Sequence, residues 1–190
     1  MKTALRILVV STFAGCMSAA PKPPVCWTIE GSGGMPRAPA AADAEDAKLL
    51  QVSVRAPYDA REFAILRADG SVAFDSFNRF AAAPASLLKG AALDILESSG
   101  RFARVLPGTS SAKVPLFVEI SVDELALDCR GPDGMAAVAK VTLATMRGRD
   151  IEYVSRGEGR APAGAGEDFS RAFSNAFAAA VDNALGVRER

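Results

Sequence analysis

The sequence predicts an α+β domain of two layers, a mainly antiparallel or mixed sheet of about seven strands with two amphipathic helices on one face. Three observations predict it. Leu87, Leu88, Ala91, Ala92, Ile95 and Leu96 recur at the spacing of one helical face, after Pro84 and before Gly100. Phe169, Ala172, Phe173, Ala176, Phe177, Ala180, Val181, Ala184 and Leu185 keep the same period over five steps. Between these helices and before the first, stretches such as Leu49–Arg55 and Leu116–Asp123 alternate apolar and polar residues, the period of a half-buried strand. Runs of strands with few helices favour α+β layering over an alternating α/β fold.

Taken in order, Val25–Ile29 is short, apolar and β-rich and reads as a first strand. Residues 30–48, rich in Gly, Pro, Ala and Asp, read as a mobile loop. In the second strand Leu50, Val52 and Val54 should share one face, and Gln51, Ser53 and Arg55 the other. Phe63–Arg67 and Ser71–Phe74 flank Ala68-Asp69-Gly70, whose Asp-Gly pair favours a tight hairpin. In the first helix Pro84 suits the first turn, where its missing N–H removes nothing, and Gly100 suits the left-handed stop. Phe102, Val105 and Leu106 then form a short strand. In Val114–Asp128, Leu116, Val118, Ile120 and Val122 share one face. Ala136–Thr145 returns, and Ile151–Gly157, extending toward Arg160, closes the sheet. The last helix carries Glu167 and Asp168 at its positive end and Arg188 and Arg190 at its negative end. Its three phenylalanines are read as core packing against the sheet. The polar face lacks the lysines and arginines of a helix lying on a membrane.

The chain has 190 residues, room for one domain and a tail, and its 22 Lys+Arg balance its 22 Asp+Glu. A balanced charge gives no footprint for nucleic acid, so no nucleic-acid partner is expected. With 0 histidines the commonest general base and metal ligand is missing, and three cysteines without CxxC spacing do not make a zinc site. No metal and no cofactor other than covalent lipid are expected. Asp123 and Glu124, adjacent on a strand, point to opposite faces unless a bulge intervenes. No G-x-S-x-G elbow is present, and the GSGG at 31–34 lacks the Lys-Ser/Thr of a phosphate loop. No catalytic residue is assigned and no enzymatic activity is expected.

The N-terminus carries Lys2 and Arg6, then an apolar run from Ile7 to Ala14 that is too short for a permanent span, which needs about 20 residues. It fits a secretory signal. Phe13-Ala14-Gly15-Cys16 resembles the lipobox of bacterial lipoproteins, which implies that Cys16 is lipidated and becomes the first mature residue. Cleavage after Ala19 or Ala20, leaving a soluble periplasmic protein, is the alternative. Met17 stands where an aspartate would commonly mark inner-membrane retention, so the periplasmic face of the outer membrane is the expected location. The expected organisation is a signal peptide at 1–15, a lipidated tether at 16–24 and a domain at 25–190.

The remaining cysteines, Cys26 and Cys129, can bridge in an oxidising periplasm or stay as two separate buried thiols. A bridge would close a loop of roughly a hundred residues, worth about 4 kcal/mol in the chain-entropy picture.

Several strings resemble the ABC-type transport auxiliary lipoproteins, accessory partners of lipid-transport systems built from an ABC transporter and MCE-domain proteins. Trp27-Thr28-Ile29 resembles the family's first strand. Arg79-Phe80-Ala81 with Pro84, Leu87 and Leu88 is similar to its central string, although the family usually has tryptophan where Phe80 stands. Ser99-Gly100-Arg101-Phe102-Ala103-Arg104-Val105 and the helix Phe169–Leu185 resemble the elements that follow. The resemblance implies a non-enzymatic, lipid-anchored component of phospholipid transport that docks on an MCE protein and ABC components, and that forms a homo-oligomeric ring. Phe80, read as lying in a loop ahead of the helix, and Arg79 are the candidate partner contacts. The rival expectation is an envelope lipoprotein of another class, a cell-wall synthase regulator or a Tol-like scaffold.

Overall fold

The computed structural model describes residues 23–31, 38–131, 134–164 and 168–186. The signal peptide, Cys16 and most of the tether lie outside the described residues, as do Glu167, Arg188 and Arg190. Eight strands form one mixed sheet with two helices: β1 (Val25–Trp27), β2 (Ala47–Val54), β3 (Glu62–Leu66), β4 (Val72–Phe80), α1 (Pro84–Ser98), β5 (Val105–Pro107), β6 (Leu116–Asp128), β7 (Ala136–Arg147), β8 (Asp150–Pro162) and α2 (Phe169–Leu185). The α+β layering is as the periodicities predict.

The sheet forks at β6. One side of β6 pairs antiparallel with β7 along its length, and β7 in turn pairs antiparallel with β8. The other side is divided: Leu116–Val122 pairs in parallel with β2, and Ala126–Asp128 pairs in parallel with β3. Beyond β2 lies β5, also parallel. Beyond β3 come β4, antiparallel, and then β1, parallel to β4.

Two bulges decide which side chains reach the core. A register shift between Leu49 and Gln51 turns Leu49 inward at 0 % exposure and leaves Leu50 exposed. The even alternation expected for Leu50, Val52 and Val54 therefore fails at its first member, because one extra residue flips every side chain before it. A second shift, between Val122 and Glu124, keeps the inward set of β6 going as Leu125 and Leu127 after Leu116, Val118, Ile120 and Val122.

α1 starts at Pro84 and ends where Gly100 takes φ +69°. A Cβ there would also stand 2.8 Å from the Pro39 carbonyl oxygen, so the helix stop doubles as the seat of another segment. Ala38 N donates to Ser98 O and Ala41 N to Gly100 O, which pins residues 38–41 to the end of α1. The described part of the expected loose loop is thus tied down. α1 lies over β2 and β5 and touches α2.

α2 is capped by Asp168, whose side chain accepts from Ser170 N, and lies over β7 and β8. Val141, Leu143, Ala137 and Ala139 of β7 meet it, and on β8 the inward positions include Gly157 and Gly159. Between the helices and the β3–β4 half, Phe63, Phe80, Phe169 and Phe173 interlock with centroids 4.7–5.6 Å apart, and Trp27 meets Phe169 edge-on at 5.2 Å. Such edge-to-face pairs contribute about 0.5–1.5 kcal/mol each beyond the area they bury. No helix among the described residues is long and apolar enough to cross a membrane.

Candidate docking surfaces

β4 runs through Phe80 instead of ending at Phe74, and that places the two candidate contacts differently from expectation. Phe80 is a core residue, 1 % exposed and packed between Phe63 and Phe173. Its N–H donates to Arg61 O, and Arg61 reaches back to the carbonyls of Phe80 and Ala81. Phe80 is therefore corrected from a partly exposed contact to part of the aromatic core. Arg79 is half-buried, its Nε has no hydrogen-bond partner, and in backbone register it lies between Cys26 and Glu62.

The exposed apolar residues of this region are on the same strand, three and six positions earlier. Phe77 and Phe74 face water, together with Val72 and, on the neighbouring β1, Val25. A wide irregularity between the Ala64–Phe74 and Glu62–Arg79 pairs carries residues 75–78 out of the β3–β4 ladder. Asp75 holds it: Oδ1 accepts from Phe77 N at 2.7 Å and Asn78 N at 3.1 Å, while Oδ2 accepts from Asn78 Nδ2. Asn78 Oδ1 in turn accepts from Trp27 Nε1, which fixes β1 against β4. The signal for Phe74 and Phe77 in the sequence is an apolar pair, Phe-x-x-Phe, whose spacing of three is out of step with the two-residue period of the strand that carries it.

At the other end of the long β6–β7–β8 strands, Ile151, Tyr153 and Val154 are exposed beside the β7–β8 turn. A cleft of about 260 Å³ opens next to them, floored by Phe102, Leu116, Leu143 and Leu185. Arg147 crosses its rim, holding Glu45 Oε2 at 2.6 Å and Glu152 Oε1 at 2.5 Å. The hydrogen bonds from Arg147 to Glu45 keep the Glu45 carboxyl below its ordinary range. Nearby, Arg104 clasps Asp46 through two hydrogen bonds and holds its carboxyl low as well.

The sheet face away from the helices carries a small buried apolar cluster, Ala64, Leu66, Ala126 and Val138 under Tyr58, and beside it a polar stretch. Here the bulge after Val122 puts Asp123 and Glu124 on one face, the condition that their adjacency in sequence left open. Each has its own cation: Asp123 has Arg55 at 3.3 Å and accepts from Thr142 Oγ1, and Glu124 has Lys140 at 3.2 Å. Farther along, the buried Asp128 accepts from Arg130 Nε at 2.8 Å and Arg160 Nη1 at 2.6 Å. Arg130 is the main cause, with Arg160, of a carboxyl held well below the carboxylate range despite burial.

Cys26 and Cys129 are both free and both exposed, so the bridge is not formed and neither thiol is a core residue. Cys26 lies on β1, and Cys129 follows β6 with its N–H on Leu66 O. Strands β3 and β4 stand between them, roughly 14 Å at about 4.8 Å per strand.

No protein-family model matches this chain, and no curated protein matches it. Solved structures do. A DUF330 protein from Xanthomonas campestris aligns with a TM-score of 0.59 at 14 % identity, over 82 % of this chain and 86 % of its own. A protein described only as uncharacterized aligns at 0.63 and 12 % identity, over 88 % of this chain and 100 % of its own. The PelC dodecamer of Paraburkholderia phytofirmans aligns over 80 % of this chain and 94 % of its own at 13 % identity, with a TM-score of only 0.46, too loose to argue from. At such identities the likeness is one of fold.

Proposed function

We propose that this chain is a lipid-anchored, periplasmic accessory component of an ABC/MCE-type lipid-transport system, acting by docking and not by catalysis. The observation that carries the reading is the place of the anchor string relative to the fold. Phe13-Ala14-Gly15-Cys16 stands nine residues before Val25, which opens the edge strand of the domain. An acyl chain on Cys16 would hold the domain by that edge and leave the opposite end, with its cleft and exposed Ile151, Tyr153 and Val154, directed away toward a partner.

The strings that resemble the auxiliary lipoproteins are compatible with the fold, since Ser99–Val105 forms the helix stop and the entry to β5 and Phe169–Leu185 forms α2. Among the described residues, the carboxylates named above at the cleft and on the polar face are engaged by arginine or lysine, an arrangement suited to a rigid surface and poorly suited to proton transfer. A ring of copies belongs to the same reading.

The test is recovery of partners from detergent-solubilised envelopes under mild conditions. Co-purification of an MCE-domain protein with its ABC permease and ATPase is the expected result. Recovery of a peptidoglycan synthase or a Tol-type protein instead would transfer the chain to another envelope machine.

A further inference from the structure

The exposed apolar rim on β1 and β4 needs an explanation of its own. Among the described residues eight large apolar side chains are exposed, and four sit here: Phe77 at 60 %, Val25 at 49 %, Phe74 at 46 % and Val72 at 39 %. Val72 and Phe74 pair across the strands with Leu66 and Ala64, while Val25 shares the parity of Trp27, so the four crowd one edge of the sheet from both of its faces. Large apolar side chains exposed together at one edge mark a contact with another apolar phase. Two features argue against a partner strand as that contact. Asp75 already occupies the N–H groups of Phe77 and Asn78. Pro23 and Pro24, just ahead of β1, have no N–H to extend its ladder. What the rim offers is side chains.

Its position says which apolar phase. β1 runs parallel to β4 with Val25 opposite Asn78, so the chain enters β1 from the side of Phe77, Phe74 and Val72. Cys16 is nine residues upstream of Val25, at most roughly 30 Å when fully extended. Residues 67–79 contain Arg67 and Arg79 against Asp69 and Asp75, so no net charge calls for an acidic partner. We propose that this rim seats in the interface of the bilayer, with Phe74 and Phe77 reaching the boundary between headgroups and acyl chains. The proposal rests on acylation of Cys16 and deepens it: the lipid holds the chain near the membrane, and the rim orients the domain on it, so that the Arg147 cleft points into the periplasm. The long strand β6 sets the separation of the two ends, its 13 residues spanning about 43 Å at about 3.3 Å per residue.

The full chain, purified from envelopes and reconstituted into phosphatidylcholine vesicles carrying a shallow acyl-chain quencher, tests this. One sample carries a fluorophore on Cys26 with Cys129→Ser; the other carries it at Arg149→Cys with Cys26→Ser and Cys129→Ser. The expected result is quenching at least twofold stronger at position 26 than at 149. Phe74→Ser with Phe77→Ser should bring position 26 down to the level of 149 while the protein still floats with the vesicles and melts as before. Flotation with equal quenching at both positions, or quenching that survives the double substitution, overturns the seating and leaves the anchor standing. Failure of the unsubstituted chain to float overturns both.

Discussion

Gly157 lies directly under Ala180: a Cβ on the glycine would stand 1.9 Å from the Ala180 carbonyl oxygen, inside any real contact distance. Gly159 repeats the relationship one turn earlier, 1.9 Å from Ala176 O. Two glycines at alternate positions of β8 thus meet alanines one turn apart on α2, and helix backbone rests on strand backbone. Asn183 Nδ2 adds a hydrogen bond of 2.7 Å to Glu158 O. That bond occupies one outward carbonyl of a long edge strand that would otherwise invite pairing.

Gly157→Ala or Gly159→Ala should therefore be among the most damaging single methyl additions in the chain. The clashing atoms are backbone, which cannot swing aside, so a loss of about 3 kcal/mol is expected, at the upper end for overpacking. In a chain of this size that lowers the melting temperature by roughly 6–12 °C. Thermal denaturation followed by circular dichroism checks it; melting unchanged by both substitutions would show that α2 does not sit as described.

Phe80 and Phe77 should behave in opposite ways although three residues apart. Phe80→Ala removes a fully packed ring and should cost about 3–5 kcal/mol. Phe77→Ala removes an exposed ring and should leave stability within about 0.5 kcal/mol. Parallel urea titrations of the two variants decide the matter, and similar midpoints would contradict the orientation of β4.

Asp128 makes stability depend on acid pH. Its folded carboxyl titrates below its ordinary value, chiefly through Arg130 and then Arg160, so its contribution is present above the unfolded value of 3.8 and is lost as pH falls beneath that. Asp128→Asn should cost about 2 kcal/mol at neutral pH, the scale of hydrogen bonds to a charged group. It should also flatten the fall in stability between about pH 4 and pH 2. An acid limb as steep in the variant as in the parent would assign the dependence to the other carboxyls held low, Glu45, Asp46 and Asp69, instead.

Both thiols should react in the native state. Titration of the folded, unreduced protein with a thiol-specific chromophore is expected to label Cys26 and Cys129 without denaturant, because both are exposed. A count that rises only after reduction would mean a bridge, which the intervening β3 and β4 oppose.

Cys16→Ala should release the protein from sedimented membranes into the soluble fraction. Intact mass measurement of the native protein should find an acylated Cys16 as the first residue. A variant that stays with the membranes would dissociate the anchor from this cysteine.

The two helices and the Gly100 stop of the first were legible because an amphipathic period and a chain-terminating glycine are local properties, whereas the Gly186 cap of α2, at φ +72°, was not singled out. Leu88, Ala91, Ala92, Ile95 and Leu96 all reach the core as their spacing predicts, as do Phe173 and Phe177. Most strands were legible for the same reason. Bulges were not: Leu49 and Leu50 are adjacent leucines, and nothing in their neighbourhood says which one turns inward. Only the register against β6 sets it. Phe80 was misplaced for a related reason, since β4 continues beyond the hairpin segment with obvious alternation and carries its last side chain into the aromatic core.

By itself the sequence determined the two layers, the start and stop of the first helix, the lipobox-like string ending at Cys16 and the absence of histidine, because each is written in residue type or in a period of a few residues. The tertiary structure alone decided that β6 is shared between β2 and β3, that Gly157 and Gly159 admit α2, and that Phe77 instead of Phe80 faces outward. The physical reason is that pairing partners and close approaches join residues far apart in the chain, and local pattern carries no record of which distant strand supplies the other half.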